Sequence, residues 1–249
     1  MVTNKIYNED CLETMQRMND NFVDVTVTSP PYNAGASRRK RKTRGYTDII
    51  KYDNYTDKIS KEEYLKVCVD WIKEIIRVTK YHVFFNIQEL KGNKGIYENF
   101  SEQIKDVFIW AKTNPPSAIN DNGVSRGYEY IFCFSKDEPQ KSTFNYGNFS
   151  NYDGDYVKNI IIKPVNVDKQ VLKETKQHNF AFPLWLPKYF INYFSKENAL
   201  IYDPFMGVGT TATASVILKR NYIGSEISKK YVDVANKRIL KYKNQTSLF

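Results

Sequence analysis

A Ser-Pro-Pro-Tyr tetrapeptide follows the first strongly β-branched run of this chain. The run Phe22–Thr28 (FVDVTVT) alternates in the manner of a strand and is ended abruptly by Ser29-Pro30-Pro31-Tyr32. The prolines remove two N–H donors, so the turn presents carbonyl acceptors beside a hydroxyl and an aromatic ring. An exocyclic amine on an aromatic ring needs such acceptors for its hydrogens before its delocalised lone pair can attack a methyl donor. These four residues are the predicted catalytic set, although a plain strand-ending turn could have the same composition.

A glycine-containing loop lies far along the chain, between a predicted strand and a predicted helix. Its sequence is YDPFMGVGTTA over residues 202–212. Gly207 and Gly209 match the fingerprint of a nucleotide-binding turn, in which missing side chains let the backbone approach a ligand closely. Glu226 ends the next predicted strand, where a carboxylate can accept from both hydroxyls of a ribose. The loop therefore predicts a nucleotide-like cofactor, with an unliganded strand–helix connection as the alternative.

The residues before the glycines favour one cofactor over another. A nicotinamide dehydrogenase would use the same glycines and the same acid. Asp203, Pro204 and Phe205 stand directly before them in this chain. A carboxylate at that point would repel a pyrophosphate but would pair with the ammonium group of a methionine moiety. The loop therefore favours S-adenosylmethionine over a dinucleotide.

Strands and helices alternate around both turns. The predicted strands are Lys5–Tyr7, Phe22–Thr28, Tyr81–Ile87, Val107–Lys112, Glu129–Phe134, Ala199–Tyr202 and Tyr222–Ile227. The predicted helices are Cys11–Met18, Lys61–Thr79, Thr210–Leu218 and Lys229–Tyr242. This order predicts an α/β fold with a doubly wound, mostly parallel sheet. If the strands 22–28 and 199–202 are neighbours where the strand order reverses, the two turns meet across one crevice.

Charge and composition indicate a polyanionic partner. The chain has 249 residues and a net charge of +9. Its length suits a single domain over residues 1–249. An insertion at 34–58 contains a cationic run, which predicts a loop that binds DNA phosphates. The cationic residues of this run are Arg38, Arg39, Lys40, Arg41, Lys42 and Arg44. A solvated charged loop without a special partner is the alternative.

A second insertion, residues 135–176, is polar, weakly periodic and rich in Asn and Tyr. It is the candidate target-recognition segment by elimination, because base edges are read by side chains of these types. The same composition suits ordinary surface loops. The segment is short for this task, which leaves a monomer with a short target and a homodimer both open.

Several classes of protein are disfavoured by what the sequence lacks. Cys11, Cys68 and Cys133 are isolated in sequence, which argues against a disulfide framework. With only His82 and His178 beside them, no zinc site is expected. No apolar run is long enough to cross a bilayer, and the first ten residues have no apolar signal core. We therefore expect a cytoplasmic protein that is not bound to a membrane.

Together, the motifs resemble those of the DNA amino-methyltransferases of bacterial restriction–modification systems, in the permuted group whose catalytic motif precedes the cofactor motif. The resemblance implies a Rossmann-like S-adenosylmethionine-dependent methyltransferase fold, with DNA-recognition loops inserted in it. It also implies double-stranded DNA as substrate, a base flipped out of the duplex to stack on Tyr32, and a companion restriction endonuclease. The cofactor-binding residues that it implies are Asp10, Cys11, His178, Phe182, Asp203, Pro204, Phe205, Gly207, Gly209, Thr210, Thr211 and Glu226.

Three finer expectations concern the roles of individual residues. Family members acting on cytosine usually have Ser at the position of Ser29, so cytosine N4 is favoured and adenine N6 is the alternative. A hydroxyl both accepts and donates, so Ser29 could accept an amine hydrogen while it orients toward the ring N3 of cytosine. Asp10 is expected to receive the adenine amino group of the cofactor, and His178 with Phe182 to close its methionine end. An aromatic entry to a helix is the alternative for the segment from His178 to Pro183.

The remaining alternatives come from other functional classes. A protein-glutamine methyltransferase shares the chemistry, but its Pro-Pro-Tyr motif follows the cofactor loop and here it precedes the loop. A nicotinamide dehydrogenase is disfavoured by the residues before Gly207, and a non-catalytic DNA-binding module would leave Glu226 unexplained. The C-terminal segment Gln245–Phe249 resembles a peptide that docks on the replication sliding clamp, with a frayed terminus as the alternative.

Overall fold

The computed structural model describes residues 1–34, 58–115, 123–136, 157–165 and 182–246, and side chains as far as residue 244. Within these ranges the strands form one eight-stranded sheet. The strands are β1 (Lys5–Tyr7), β2 (Val23–Thr28), β3 (Thr79–Ile87), β4 (Asp106–Lys112), β5 (Tyr128–Ser135), β6 (Ile160–Lys163), β7 (Leu200–Asp203) and β8 (Asn221–Ser225). The helices are α1 (Cys11–Gln16), α2 (Lys61–Val78), α3 (Ile96–Phe100), α4 (Trp185–Phe194), α5 (Thr210–Ile217) and α6 (Lys229–Thr246), with a 3₁₀ turn at Lys91–Asn93.

The order of the strands is β1-β8-β7-β2-β3-β5-β4-β6. Among the described strands β5 alone runs against its neighbours, β3 and β4. From β2 the chain crosses through α2 to β3 on one side, and from β7 it crosses through α5 to β8 on the other. The strand order therefore reverses between β2 and β7, which pair in parallel at Val25↔Ile201 and Thr26↔Tyr202. Ligands bind at such a reversal, beyond the carboxyl ends of the strands.

Apolar side chains alternate between the two faces along the strands, and they form a separate hydrophobic core on each face of the sheet. Val23 and Phe85 pack on one face with Met15 of α1 and the apolar stripe of α2. Val25, Val27 and Phe84 pack on the other face with residues of α4 and α5. Both faces are covered because successive side chains of a strand point in opposite directions. The covering helices hold the carboxyl ends of β2 and β7 side by side.

The predicted fold class is confirmed, and individual boundaries differ by a few residues. Two of these differences concern functional segments. The strand predicted to end at Ile227 stops at Ser225, so Glu226 lies just beyond β8. The segment 135–176 is weakly periodic in sequence, but Ile160–Lys163 within it forms β6 at the sheet edge, parallel to β4. In the part of the chain that the structure describes, no helix is long and apolar enough to cross a membrane.

Candidate active site

The two predicted functional turns meet where the strand order reverses. The Ser-Pro-Pro-Tyr turn follows β2, the glycine loop follows β7, and both line one cavity that is partly open to solvent. At the ends of these two strands, Thr28 Oγ1 donates a hydrogen bond of 2.6 Å to Asp203 Oδ1. The two turns come together because β2 and β7 are parallel neighbours, so their carboxyl ends lie at the same edge of the sheet.

The cavity contains most, but not all, of the predicted site residues. The predicted residues that line it are Ser29, Pro30, Pro31, Tyr32, Asp10, Cys11, Phe182, Pro204, Phe205, Gly207, Thr210 and Glu226. Asp203, Gly209 and Thr211 are absent from its lining, and both Asp203 and Thr211 are buried beneath it. His178 and the cationic residues from Arg38 to Arg44 lie outside the described residues, as do most of 135–176 and the last three residues.

The backbone of the catalytic turn is held by polar contacts from two other segments. Asn33, in the left-handed region at φ 53°, donates from Nδ2 to the carbonyl of Gly92 at 2.7 Å. Asn93 Nδ2 donates to the Tyr32 carbonyl at 2.9 Å, and the Tyr64 hydroxyl donates to the Pro31 carbonyl at 2.5 Å. Two of the turn's carbonyls thus accept from the scaffold. This leaves the turn little freedom to move.

The hydroxyl of Tyr32 takes part in a polar cluster behind the cavity. Ser29 Oγ donates to it at 2.9 Å, and it lies 3.0 Å from Glu129 Oε2 and 3.2 Å from Asn86 Oδ1. Glu129 Oε1 is paired with Lys112 Nζ at 2.7 Å. Sequence reasoning missed Asn86, Glu129 and Lys112 because they lie in three different strands. The feature of the sequence that could have indicated them is a polar residue within or beside an aromatic-rich β segment.

Glu226 joins the carboxyl end of β8 to the glycine loop. Its Oε2 accepts the Gly207 N–H and its Oε1 accepts the Ser228 N–H, both at 2.8 Å. Asn8 donates from Nδ2 to the Glu226 carbonyl at 2.8 Å, which connects the turn after β1 to the same point. The carboxylate is thus oriented at the cavity before any ligand arrives, as a ribose-binding acid requires.

Asp10 and Cys11 begin α1 at the cavity wall. Asp10 caps the helix by accepting the Leu12 N–H at 2.8 Å. Burial raises the pKa of the Cys11 thiol well above its usual range, and the charge of Asp10 raises it further. Cys11 is therefore an apolar wall and not a nucleophile.

Asp203 is fully buried and its carboxylate is satisfied by protein donors. Oδ1 accepts from Thr28 Oγ1 and from the Phe205 N–H at 3.0 Å, and Oδ2 accepts from Thr211 Oγ1 at 2.7 Å. Burial raises the pKa of this carboxyl to about 6, and the three hydrogen bonds oppose the rise. In this structure Asp203 therefore joins β7, β2 and α5. Its contact with a methionine ammonium stays a prediction.

Gly209 is constrained by packing in this structure, and its close approach to a ligand stays a prediction. It begins α5 at φ +77°, and a Cβ built on it would lie 2.8 Å from Ala235 Cβ on α6. The sequence pattern predicts this glycine on the ligand side of the loop. The structure shows a further constraint from α6, which packs on α5.

Further cavity residues were not predicted as site residues. These are Glu9, Trp71, Met206, Val208, Ser225, Ile227 and Tyr231. Trp71 packs edge to face on Phe205 of the glycine loop, with ring centroids 4.7 Å apart. In the sequence, Trp71 belongs to an apolar stripe of helical period, which is typical of a core helix and contains no signal for a ligand. Its place in the cavity wall is a tertiary property.

The chemistry of the cavity walls suits S-adenosylmethionine. An oriented acid, a glycine loop and aromatic walls fit the ribose, the methionine moiety and the adenine ring of this cofactor. When bound, the cofactor supplies an electrophilic methyl group. The described residues contain no group of three or more His, Cys, Asp or Glu side chains that could hold a metal ion.

Comparison with known proteins identifies the family. The DNA methylase family matches residues 23–237. The type II methyltransferase M.HinfI of Haemophilus influenzae is 29% identical, over 96% of this chain and 69% of that protein. M.BglII of Bacillus subtilis is 27% identical, over 93% of this chain and 68% of that protein.

Solved structures show the same fold. The cytosine-N4-specific PvuII DNA methyltransferase aligns with a TM-score of 0.73 at 18% identity, covering 98% of this chain and 93% of that one. The complex of M1.HpyAVI with S-adenosylmethionine aligns with a TM-score of 0.62 at 23% identity, covering 94% and 98%. The chain therefore belongs to the DNA methylase family and is a DNA amino-methyltransferase that uses S-adenosylmethionine.

Proposed function

We propose that the chain methylates N4 of a cytosine that is flipped out of double-stranded DNA, with the Ser-Pro-Pro-Tyr turn receiving the amine. The observation that supports this best is the Ser29 hydroxyl, which lies at the cavity shared with the cofactor loop and Glu226. Its hydrogen is directed to Tyr32, so the lone pairs of Ser29 Oγ can accept a hydrogen of the amine. The Pro30 carbonyl accepts the second hydrogen.

The turn performs two further tasks in this proposal. The ring of Tyr32, which lines the cavity, stacks on the flipped base and holds its plane. Two accepted hydrogen bonds draw the amine lone pair out of conjugation and direct it to the incoming methyl group. The amine then loses a proton to water, so no general base of shifted pKa is required.

The cofactor contacts follow from the positions of the lining residues. Glu226 accepts from the ribose hydroxyls and Asp10 from the adenine amino group, with Cys11 as an apolar wall beside it. Pro204, Phe205, Gly207 and Thr210 surround the methionine portion, and Phe182 closes its end together with His178. Asp203 with Thr211 supports the loop from below and attracts the ammonium group. Glycine at Gly209 keeps α5 close to α6.

The choice of cytosine N4 over adenine N6 depends on Ser29. Its hydrogen is engaged by Tyr32, so Ser29 does not donate to the ring N3 of cytosine as its residue type alone would allow. What supports cytosine is the neutral acceptor itself, since a carboxylate gains most where the amine becomes strongly cationic. Adenine N6 is the alternative. Mass spectrometry of nucleosides from DNA methylated in vitro distinguishes them: N4-methylcytosine is expected, and N6-methyladenine alone would overturn this choice of base.

The proposal extends to segments outside the described residues. The whole chain, 1–249, acts as one methyltransferase domain in the cytoplasm, with the loop 34–58 gripping DNA phosphates and 135–176 contributing target recognition. A companion restriction endonuclease and docking of Gln245–Phe249 on the sliding clamp belong to the same hypothesis, as does action as a monomer or a homodimer. Sequencing the methylated DNA for modified bases would reveal the recognised site and so test target recognition.

A further inference from the structure

Two of the groups beside the Tyr32 hydroxyl can only accept from it. Glu129 Oε2, at 3.0 Å, belongs to a carboxylate that is paired with Lys112 Nζ. Asn86 Oδ1, at 3.2 Å, is an amide oxygen. The hydroxyl has a single hydrogen to share between these two oxygens. Its oxygen is then the acceptor for the Ser29 hydroxyl at 2.9 Å.

The orientation of the Asn86 amide is fixed independently of Tyr32. Its Nδ2 donates to Glu129 Oε2 and to the Tyr130 carbonyl, each at 3.1 Å. Both of those groups are acceptors, so the amide nitrogen must face them and the amide oxygen must face Tyr32. A reversed chain, with Tyr32 donating to Ser29, would set the Tyr32 oxygen against two acceptor oxygens. The hydrogen bonds therefore run from Ser29 to Tyr32 and on to Glu129 and Asn86.

We infer that Glu129 is a positioning residue that makes the Ser29 oxygen a pure acceptor for the target amine. Glu129 is absent from the cavity lining, so it acts through Tyr32 and not on the base. Because its carboxylate draws the hydrogen of Tyr32, Tyr32 draws the hydrogen of Ser29, and both Ser29 lone pairs remain for the amine. A freely rotating Ser29 hydroxyl would instead direct its hydrogen toward the amine in part of the molecules. This inference rests on the proposed role of the turn.

An ion pair between Lys112 and Glu129 lies at the end of this chain of hydrogen bonds. The side chains of Lys112 and Glu129 are only 5% and 11% exposed. A buried ion pair contributes little net stability compared with an apolar pair, because both charges lose their hydration. The role of Glu129 here is directional: its oxygens accept from Tyr32, Asn86 and Lys112, so the hydrogen bonds run toward it.

The test is Glu129→Gln, which preserves size and removes the charge. Lys112 holds the amide oxygen through the charge-assisted contact and turns the NH₂ group toward Tyr32. Tyr32 then accepts from this amide and loses one of its two acceptors, so only Asn86 Oδ1 still competes with Ser29 for the Tyr32 hydrogen. In single-turnover reactions with labelled S-adenosylmethionine and unmethylated bacterial DNA, methyl transfer is expected to slow about tenfold or more, typical for one misdirected hydrogen bond at a reacting group. Affinities for S-adenosylmethionine and DNA are expected to stay within about twofold of the parent values.

Two further variants distinguish an effect on hydrogen-bond direction from a general loss of stability. Glu74→Gln makes the same change in another paired glutamate, which binds Arg77 on α2 and does not line the cavity, and is expected to react at the parent rate. Lys112→Met breaks the same ion pair but keeps the carboxylate, so it should lower the melting temperature while slowing transfer less than Glu129→Gln. If Lys112→Met slows transfer as much as Glu129→Gln, loss of the ion pair explains the effect and the inference fails.

A double-mutant cycle with Tyr32→Phe completes the test. The phenylalanine ring still stacks but transmits no hydrogen bond, so adding Glu129→Gln to it should cause no additional slowing. Additive effects of the two changes would overturn the inference, as would a parent-like rate for Glu129→Gln alone. Failure of the proposed function has a different signature. In that case Ser29→Ala and Tyr32→Phe would themselves leave the rate of methyl transfer unchanged.

Discussion

Thr28 Oγ1 donates a hydrogen bond of 2.6 Å to Asp203 Oδ1 across the boundary between β2 and β7. Thr28 is the last residue of β2 and Asp203 the last residue of β7. One buried hydrogen bond therefore joins the strand that leads into the catalytic turn to the strand that leads into the cofactor loop. It reinforces the parallel pairing of β2 and β7 that sets the two turns side by side.

Replacing Thr28 by Val tests this hydrogen bond. The change keeps the shape and leaves a buried carboxylate with one donor fewer, so the free energy of unfolding should fall by about 1–3 kcal/mol. Thr26→Val is the matched control, since Thr26 lies in the same strand but bonds the neutral hydroxyl of Thr79 at 2.7 Å. It should cost about 1 kcal/mol or less. Urea denaturation measures both, and equal losses would contradict the special role of Thr28.

The stability of the protein should depend on pH through Asp203. Burial raises the pKa of its carboxyl from 3.8 to about 6 in the folded protein. Between these values the folded state binds more protons than the unfolded state, so the free energy of unfolding decreases as pH rises. The stabilisation by the protonated form is complete below pH 3.8 and is lost as pH passes 6, with a total of about 3 kcal/mol.

Asp203→Asn isolates this dependence. The amide oxygen can accept from Thr28 and from the Phe205 N–H, and the amide nitrogen can donate to Thr211, whose hydroxyl also lies 3.2 Å from the Val27 carbonyl. Its stability relative to the parent should therefore improve from pH 4 to pH 7. A constant difference between the two proteins over that range would show that Asp203 does not titrate there.

Glu226→Gln should weaken binding of the cofactor. The parent carboxylate holds the Gly207 and Ser228 N–H groups at 2.8 Å each, and the amide nitrogen of Gln cannot accept from either. The variant therefore lacks one oriented, charge-assisted hydrogen bond, and the dissociation constant for S-adenosylmethionine should increase about tenfold or more. Glu89→Gln is the control, because Glu89 also accepts a backbone N–H, that of Gly95, but lies away from this cavity. Calorimetry measures the dissociation constant for S-adenosylmethionine in both variants, and equal values would contradict the role of Glu226.

Gly209→Ala should destabilise the fold. The new Cβ would lie 2.8 Å from Ala235 Cβ and the backbone is at φ +77°, so the free energy of unfolding should fall by about 2 kcal/mol or more. Gly95→Ala at φ +90° has its nearest heavy atom at 3.9 Å and should cost only the backbone strain of about 1 kcal/mol. Adding Ala235→Gly should restore part of the stability that Gly209→Ala removes. Absence of this recovery in thermal unfolding would exclude the clash with α6 as the cause.

Neutralising the cationic run should weaken DNA binding without regard to sequence. The residues are Arg38, Arg39, Lys40, Arg41, Lys42 and Arg44. The slope of log affinity against log salt should become shallower by about 0.9 for each phosphate that the protein no longer neutralises. Affinity for S-adenosylmethionine should not change. A slope equal to that of the parent would show that the loop is an ordinary solvated segment.

Much of the site was predictable because its motifs are local in sequence. Proline and glycine restrict or free their own backbone, so Pro30, Pro31 and Gly207 specify turns whatever surrounds them. Alternation of strands and helices then predicts a parallel sheet, and in such a sheet the turns after its strands share one edge. Local pattern thus predicted both halves of the cavity, with Glu226 beside them, without knowledge of any tertiary contact.

Other features depended on which strands became neighbours. Asn86, Glu129 and Lys112 are far apart in sequence and meet only because β5 lies antiparallel between β3 and β4, in a register that sets Trp110 opposite Glu129 and Asn86 opposite Ile131. A strand pattern specifies which side chains share a face, but not the partner or the register. The burial of Asp203 beneath the cavity and the packing of Gly209 against Ala235 are of the same kind. Each arises where two distant segments pack, so only the tertiary structure could decide them.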